Sequence, residues 1–146
     1  MCEGSGVEAP GHNGLKAMRL SAIVSVILFA PAIAAAGEAL APAKRVETML
    51  GEVSVLTRDE TRECGIYLYE AKAKDGYKIE VDANCAAAFP VLTKISAWRA
   101  YRSGDISFVA GDGKELLRFR GKGYHYRAVK EVDGVSKLAS GQEVAE

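Results

Sequence analysis

The stretch Ser103-Gly104-Asp105-Ile106-Ser107-Phe108-Val109-Ala110-Gly111-Asp112-Gly113-Lys114-Glu115-Leu116-Leu117-Arg118-Phe119-Arg120-Gly121-Lys122-Gly123-Tyr124-His125-Tyr126-Arg127-Ala128-Val129 decides the fold. It holds three β-prone runs, Ile106 to Ala110, Glu115 to Arg120 and Tyr124 to Val129, divided by Gly111-Asp112-Gly113 and Gly121-Lys122-Gly123. Glycine and aspartate tolerate positive φ, so links this short join antiparallel neighbours in hairpins. Within the runs the alternation is regular: Ile106, Phe108 and Ala110 share one face, and Tyr124, Tyr126 and Ala128 share another. A period of two places one face of each strand in a core.

The same texture extends on both sides. Glu52 to Thr57, Cys64 to Tyr69, Tyr77 to Val81 and Ala97 to Arg102 precede the stretch, and Val135 to Ala139 follows it. Lys74-Asp75-Gly76, Ser103-Gly104-Asp105 and Asp133-Gly134 supply the remaining turn chemistry. Eight short strands with hairpin links predict an all-β fold, a small antiparallel up-and-down barrel, because closure removes sheet edges that would otherwise be exposed. A two-sheet sandwich is the alternative. One segment breaks the rhythm: Asp82 to Leu92 carries three consecutive alanines, Ala86 to Ala88, then Phe89-Pro90, and reads as a short helix or turn capping one end of the barrel.

Toward the N-terminus, Lys16 and Arg19 precede an uncharged run from Leu20 that breaks at Pro31 and ends in Ala34-Ala35-Ala36. A positive flank, a short apolar core and a small-residue exit predict a secretory signal peptide over residues 1–36, with Met18 as an alternative start. Pro31 shortens the run below the roughly 20 residues a spanning helix needs. The exported product then begins near Gly37, carries no lipid-attachment cysteine near Ala36, and is expected in the periplasm without a membrane anchor. Cys2 is discarded with the leader, which leaves Cys64 and Cys85 in an oxidising compartment. One disulfide is expected, closing a loop of about 22 residues and contributing roughly 3 kcal/mol; two buried free thiols are the alternative. Residues 37–50 read as an N-terminal arm with Pro42 as a break and one helical turn around Val46 to Leu50, residues 51–140 as the barrel, and residues 141–146 as a frayed tail.

Lysine plus arginine total 19 and aspartate plus glutamate 19, which offers no net attraction to phosphate backbones or anionic lipid. Nucleic acid is not expected as a partner. His125 is the one histidine of the mature region, so neither a metal site nor a Ser-His-Asp arrangement can be built around it. The carboxylates Asp59, Glu60, Asp105 and Asp112 sit in turns, where they read as local backbone acceptors. Arg118, Arg120, Lys122 and Arg127, interleaved with Tyr124 and Tyr126, read as a solvated barrel wall. No cofactor, metal or catalytic residue is expected, and the chain does not read as an enzyme. Trp98, beside Arg99, is either core at a barrel end or an anchor on a partner.

In order along the chain stand Leu40-Ala41-Pro42, Gly51-Glu52, Cys64, Cys85 followed by Pro90, Trp98-Arg99, Gly104-Asp105-Ile106-Ser107-Phe108, Asp112-Gly113, Phe119 and Tyr126. This ordered set resembles the AprI/Inh family, periplasmic inhibitors of bacterial serralysin-type zinc proteases. Val53 stands where that family usually has tryptophan. The resemblance implies an eight-stranded barrel whose arm enters the protease cleft with its terminal amine at the catalytic zinc; the chain is expected to act as a monomer on a secreted or periplasmic metalloprotease. Carried onto this sequence, the protease-binding residues are Gly37, Glu38, Ala39, Leu40, Ala41 and Pro42, with Trp98 added as the candidate anchor.

Two other functions fit a barrel of this size. One is a lipocalin-like carrier with a small ligand inside, although bulky inward candidates such as Leu68, Phe108, Phe119 and Tyr126 favour a filled interior. The other is an envelope protein that shares the inhibitor fold and binds a different protein.

Overall fold

Hydrogen-bonded ladders join sequence neighbours nearly throughout the computed structural model, which describes residues 38–141 and position 11. The leader apart from that position, Gly37, and residues 142–146 of the tail lie outside the described residues. The described barrel belongs to one unit, residues 35–146. Its strands are β1 (Leu40–Ala41), β2 (Gly51–Leu56), β3 (Glu63–Ala73), β4 (Gly76–Val81), β5 (Ile95–Tyr101), β6 (Ile106–Ala110), β7 (Glu115–Lys122), β8 (His125–Val132) and β9 (Val135–Ser140). Strands β2 to β9 pair antiparallel in chain order, and β9 returns to β2 through Val53↔Ser140 to Leu56↔Lys137. The result is the closed eight-stranded up-and-down barrel that the hairpin spacing predicts, plus one short additional strand, β1, laid against β5.

Alternation fills the interior. Val53 and Val55 of β2, Ile66 and Leu68 of β3, Phe108 of β6, Phe119 of β7 and Leu138 of β9 are all buried, and Phe108 meets Phe119 edge-on at 5.0 Å between ring centroids. Each of the five expected turns contains a residue at positive φ: Asp75, Gly104, Gly113, Gly123 and the Asp133-Gly134 pair. At the β2–β3 link, Asp59 accepts from the hydroxyls of Thr57 (2.7 Å) and Thr61 (2.9 Å) and from the Thr61 amide (3.3 Å). Those bonds, the Thr57 hydroxyl first, lower its pKa from 3.8 to about 2. A carboxylate depressed in the folded state adds stability above its unfolded pKa and loses it as pH falls toward the folded one. An NMR titration of the Asp59 carboxyl carbon is therefore expected to show its midpoint near 2, with the hairpin weakening between pH 4 and that value; a midpoint at the unshifted 3.8 would contradict the hydrogen-bonded turn.

Both barrel ends are closed. At the end where β4 gives way to β5, α1 (Cys85–Ala88) and a 3-10 helix (Pro90–Lys94) bury Cys85, Phe89, Val91 and Leu92. This is the cap expected over Asp82 to Leu92. The expected disulfide fastens it: Cys85 bonds Cys64 of β3, with the two Cα atoms 5.3 Å apart. Arg62 adds a hydrogen bond to the Ala88 carbonyl (2.7 Å) and lies over the Phe89 ring. The opposite end is plugged by a 3-10 helix, Ala43–Met49, kinked at Val46. Its buried residues are Ala43, Val46 and Met49, spaced by three, the period at which 3-10 side chains align on one face. The single helical turn expected around Val46 to Leu50 is thus a longer and tighter element, and it belongs to the core.

Gly76 opens β4 beside the Tyr77↔Trp98 pair that joins the strand to β5. A Cβ there would run into the Trp98 carbonyl. Gly76→Ala is expected to destabilise the fold by about 1–3 kcal/mol, the usual cost of overpacking against backbone, measured by urea unfolding. A midpoint equal to that of the parent would show that β4 and β5 are further apart than described. Among the described residues no helix is long and apolar enough to cross a membrane.

Candidate functional site

The arm begins its described course at Glu38 and is ordered along β5. Leu40 pairs with Tyr101 and Ala41 with Ala100, and the Arg102 amide donates to the Ala39 carbonyl at 3.0 Å. Strand β4 covers β5 as far as Tyr77↔Trp98; the arm takes over where β4 stops, in line with it. Leu40, opposite Tyr101, keeps 57% of its surface exposed, while Ala41 packs against the core.

Two side-chain clusters hold this segment. At its inner end the Tyr77 hydroxyl donates to the Ala41 carbonyl (3.3 Å) and accepts from the Ala43 amide (3.0 Å), gripping both sides of Pro42. The Tyr77 ring packs tilted against Trp98 at 5.1 Å between centroids and receives the Lys72 ammonium at 4.2 Å from its centroid. At the outer end Glu38 pairs with Arg118. The Arg118 guanidinium lies over the Tyr101 ring at 4.3 Å and bonds Asp105 at 2.9 Å. Asp105, only 4% exposed, also takes Arg120 at 3.3 Å. The Glu38 carboxyl is held below its usual range, first by the Ser103 hydroxyl, against the opposing effect of burial, and then by Arg118.

Asp105 therefore differs from the turn acceptor expected of it. Asp112 does behave that way, accepting from the Lys114 amide at 2.9 Å. The carboxylate of Asp105 is instead turned onto two arginines, because Arg118 and Arg120 alternate onto the same outer face of β7 beside it. Those arginines are accordingly structural partners as well as members of a solvated wall.

Trp98 lies at the other pole from an exposed anchor. It is fully buried, and its indole N–H donates to the carbonyls of Tyr69 (3.0 Å) and Lys78 (3.1 Å). It offers no surface to a partner in this structure and acts on the arm through Tyr77. The residues expected to meet a protease thus divide. Glu38, Ala39, Leu40, Ala41 and Pro42 come together on one rim, Trp98 stands behind them in the core, and Gly37 lies outside the described residues.

Among the described residues the barrel interior beside the site is filled with side chains. Trp98, Phe89, Phe108, Phe119, Met49 and Leu92 fill the space within the strands and their two plugs, and the clefts found are surface grooves, one of them beside the arm between Lys44, Arg45, Ser103 and Lys122. That filling weighs against the carrier reading. Among the described residues no group of three or more His, Cys, Asp or Glu is placed to hold a metal ion.

Comparison with curated proteins finds no match. The family described as protease inhibitor Inh matches residues 43–138 of the 146, which is the barrel from its 3-10 plug to β9, with the arm just ahead of the match. The chain belongs to the Inh family of protease inhibitors, and the partner that family implies is a protease.

Proposed function

We propose that the exported chain, beginning near Gly37 and working as a periplasmic monomer, inhibits a secreted zinc metalloprotease by laying its N-terminal arm in the active-site cleft. One observation carries this reading: an apolar side chain, Leu40, stands 57% exposed on a segment rooted in a filled and disulfide-clipped barrel. A lone exposed leucine is unremarkable elsewhere, but here it sits on backbone already extended and fixed. An extended segment with alternate side chains free is the form in which protein clefts take up a peptide. Fixing it beforehand removes part of the ordering cost of association.

Reversible occlusion of a zinc cleft requires no catalytic group from the inhibitor. A terminal amine in its neutral form is a competent zinc ligand, and the metal in this reading belongs to the partner. The direct test is a panel of zinc, serine and cysteine proteases titrated with the purified chain from residue 37. Inhibition confined to zinc enzymes is expected. Inhibition of another class, with the zinc enzymes untouched, would overturn the choice of target while leaving the family assignment as it stands.

A further inference from the structure

We propose that Arg118 and Tyr77 form a two-point clamp that positions the arm as strand β1 before any partner arrives, with Glu38 as the arm's own half of the outer latch. The inference rests on the inhibitory role of the arm argued above, and names the residues of the barrel that set its direction.

The outer socket is built independently of the arm. Arg118 is held by Asp105 at 2.9 Å and by the Tyr101 ring at 4.3 Å, and its side chain keeps only 20% of its surface exposed. Tyr101 is itself tied down, its hydroxyl donating to Glu115 at 3.0 Å and lying 3.1 Å from the Ser107 hydroxyl. The guanidinium is therefore preformed, with Nε on Asp105 and Nη1 3.7 Å from the Glu115 carboxylate, and presents its Nη2 to Glu38. A planar fork fixed in this way loses little freedom when it takes a carboxylate.

The inner grip is as specific. A hydroxyl that donates to the carbonyl before Pro42 and accepts from the amide after it fixes the chain on either side of the one residue whose own φ is locked. Between the two points lie the pairs Leu40↔Tyr101 and Ala41↔Ala100. Two residue pairs are too few to hold a strand unaided, which is why side chains at both ends are needed. Deep burial of Tyr77 against Trp98 connects the grip to the centre of the barrel.

The test uses Glu38→Gln and the double variant Glu38→Gln/Tyr77→Phe in the chain from residue 37, with two readouts. Amide hydrogen exchange of Arg102, which donates to Ala39, reports docking of the arm in the free protein. The inhibition constant against a zinc protease reports its use. Glu38→Gln is expected to speed Arg102 exchange about two- to fivefold, the range of an exposed ion pair, and the double variant about tenfold or more. Inhibition is expected to weaken in the same order, with the thermal midpoint of Glu38→Gln unchanged because Asp105 still holds Arg118. Unchanged Arg102 exchange in the double variant would overturn the clamp. Faster exchange with undiminished inhibition in both variants would overturn its positioning role. A parent protein that inhibits no protease would instead remove the functional reading, and the exchange data would still decide whether the clamp exists.

Discussion

Trp98→Ala is expected to destabilise the barrel by about 3–5 kcal/mol, which for a domain near 100 residues lowers the midpoint by roughly 15–30 °C. The size of the effect follows from two losses at one site. The first is volume, since Trp98 is the largest of the fully buried side chains. The second is polar. Strand β3 bulges between Leu68 and Lys72, so that its pairing with β4 jumps from Leu68↔Ile79 to Lys72↔Tyr77. The indole N–H crosses from β5 to the Tyr69 and Lys78 carbonyls that face each other across the interrupted ladder. Without it, two part-buried carbonyls lose a partner, at a cost up to the roughly 1–3 kcal/mol of a fully buried unsatisfied group. Trp98→Phe separates the terms: it keeps most of the ring and removes the donor, and is expected to cost about half as much. Equal stability of Trp98→Phe and the parent, by urea denaturation, would show that the bulge is satisfied in some other way.

This arrangement also explains what the sequence alone could and could not reveal. Strands β2 and β4 to β9 fall within two or three residues of the runs read from alternation and turn chemistry, since most bury one face and most are linked by turns with a residue suited to positive φ; β6, buried from Ile106 to Val109, is marked out by its flanking turns instead. The expected end of the second run at Tyr69 falls short, because β3 continues to Ala73. Past Tyr69 the residues Glu70, Ala71 and Lys72 are exposed, and a bulge suspends the period of two on which the reading depends. A bulge needs partners from another strand, and those partners are not encoded locally. The two cysteines, by contrast, admitted one pairing, and the alanine-rich segment beside Cys85 announced the cap.

The arm was legible only in part. Leu40-Ala41-Pro42 shows no alternation, and a two-residue strand has no signature of its own; it exists because β5 extends beyond the end of β4 and leaves an edge to be covered. Spacing by three at Ala43, Val46 and Met49 was the available sign that the following segment is a buried 3-10 helix. Nothing in sequence distance couples Glu38 to Arg118 or Ala41 to Tyr77. Those contacts follow from barrel closure, which brings residues 80 and 36 positions apart onto one rim.

Removing residues 37–41, so that the chain starts at Pro42, is expected to weaken inhibition of a zinc protease at least about a hundredfold, equivalent to roughly 2.7 kcal/mol of binding. The fold is expected to survive. The deletion takes away β1 and the Glu38 carboxylate, while Ala43, Val46 and Met49 stay in the core and Arg118 stays on Asp105. Loss of inhibition with a thermal midpoint within a few degrees of the parent would place the binding energy in the arm and not in the barrel wall. Acetylating the terminus of the full arm tests the amine separately. An α-amino group titrates at about 7.7–8.0 and must be neutral to ligate zinc, so inhibition by the free amine is expected to tighten as pH rises through that range relative to inhibition by the acetylated form. The truncated protein inhibiting as strongly as the parent, measured from progress curves, would refute the arm mechanism outright. In that event the groove between Lys44, Arg45, Ser103 and Lys122 on the same rim is the next surface to mutate, because it would still be carried by an intact member of the same inhibitor family.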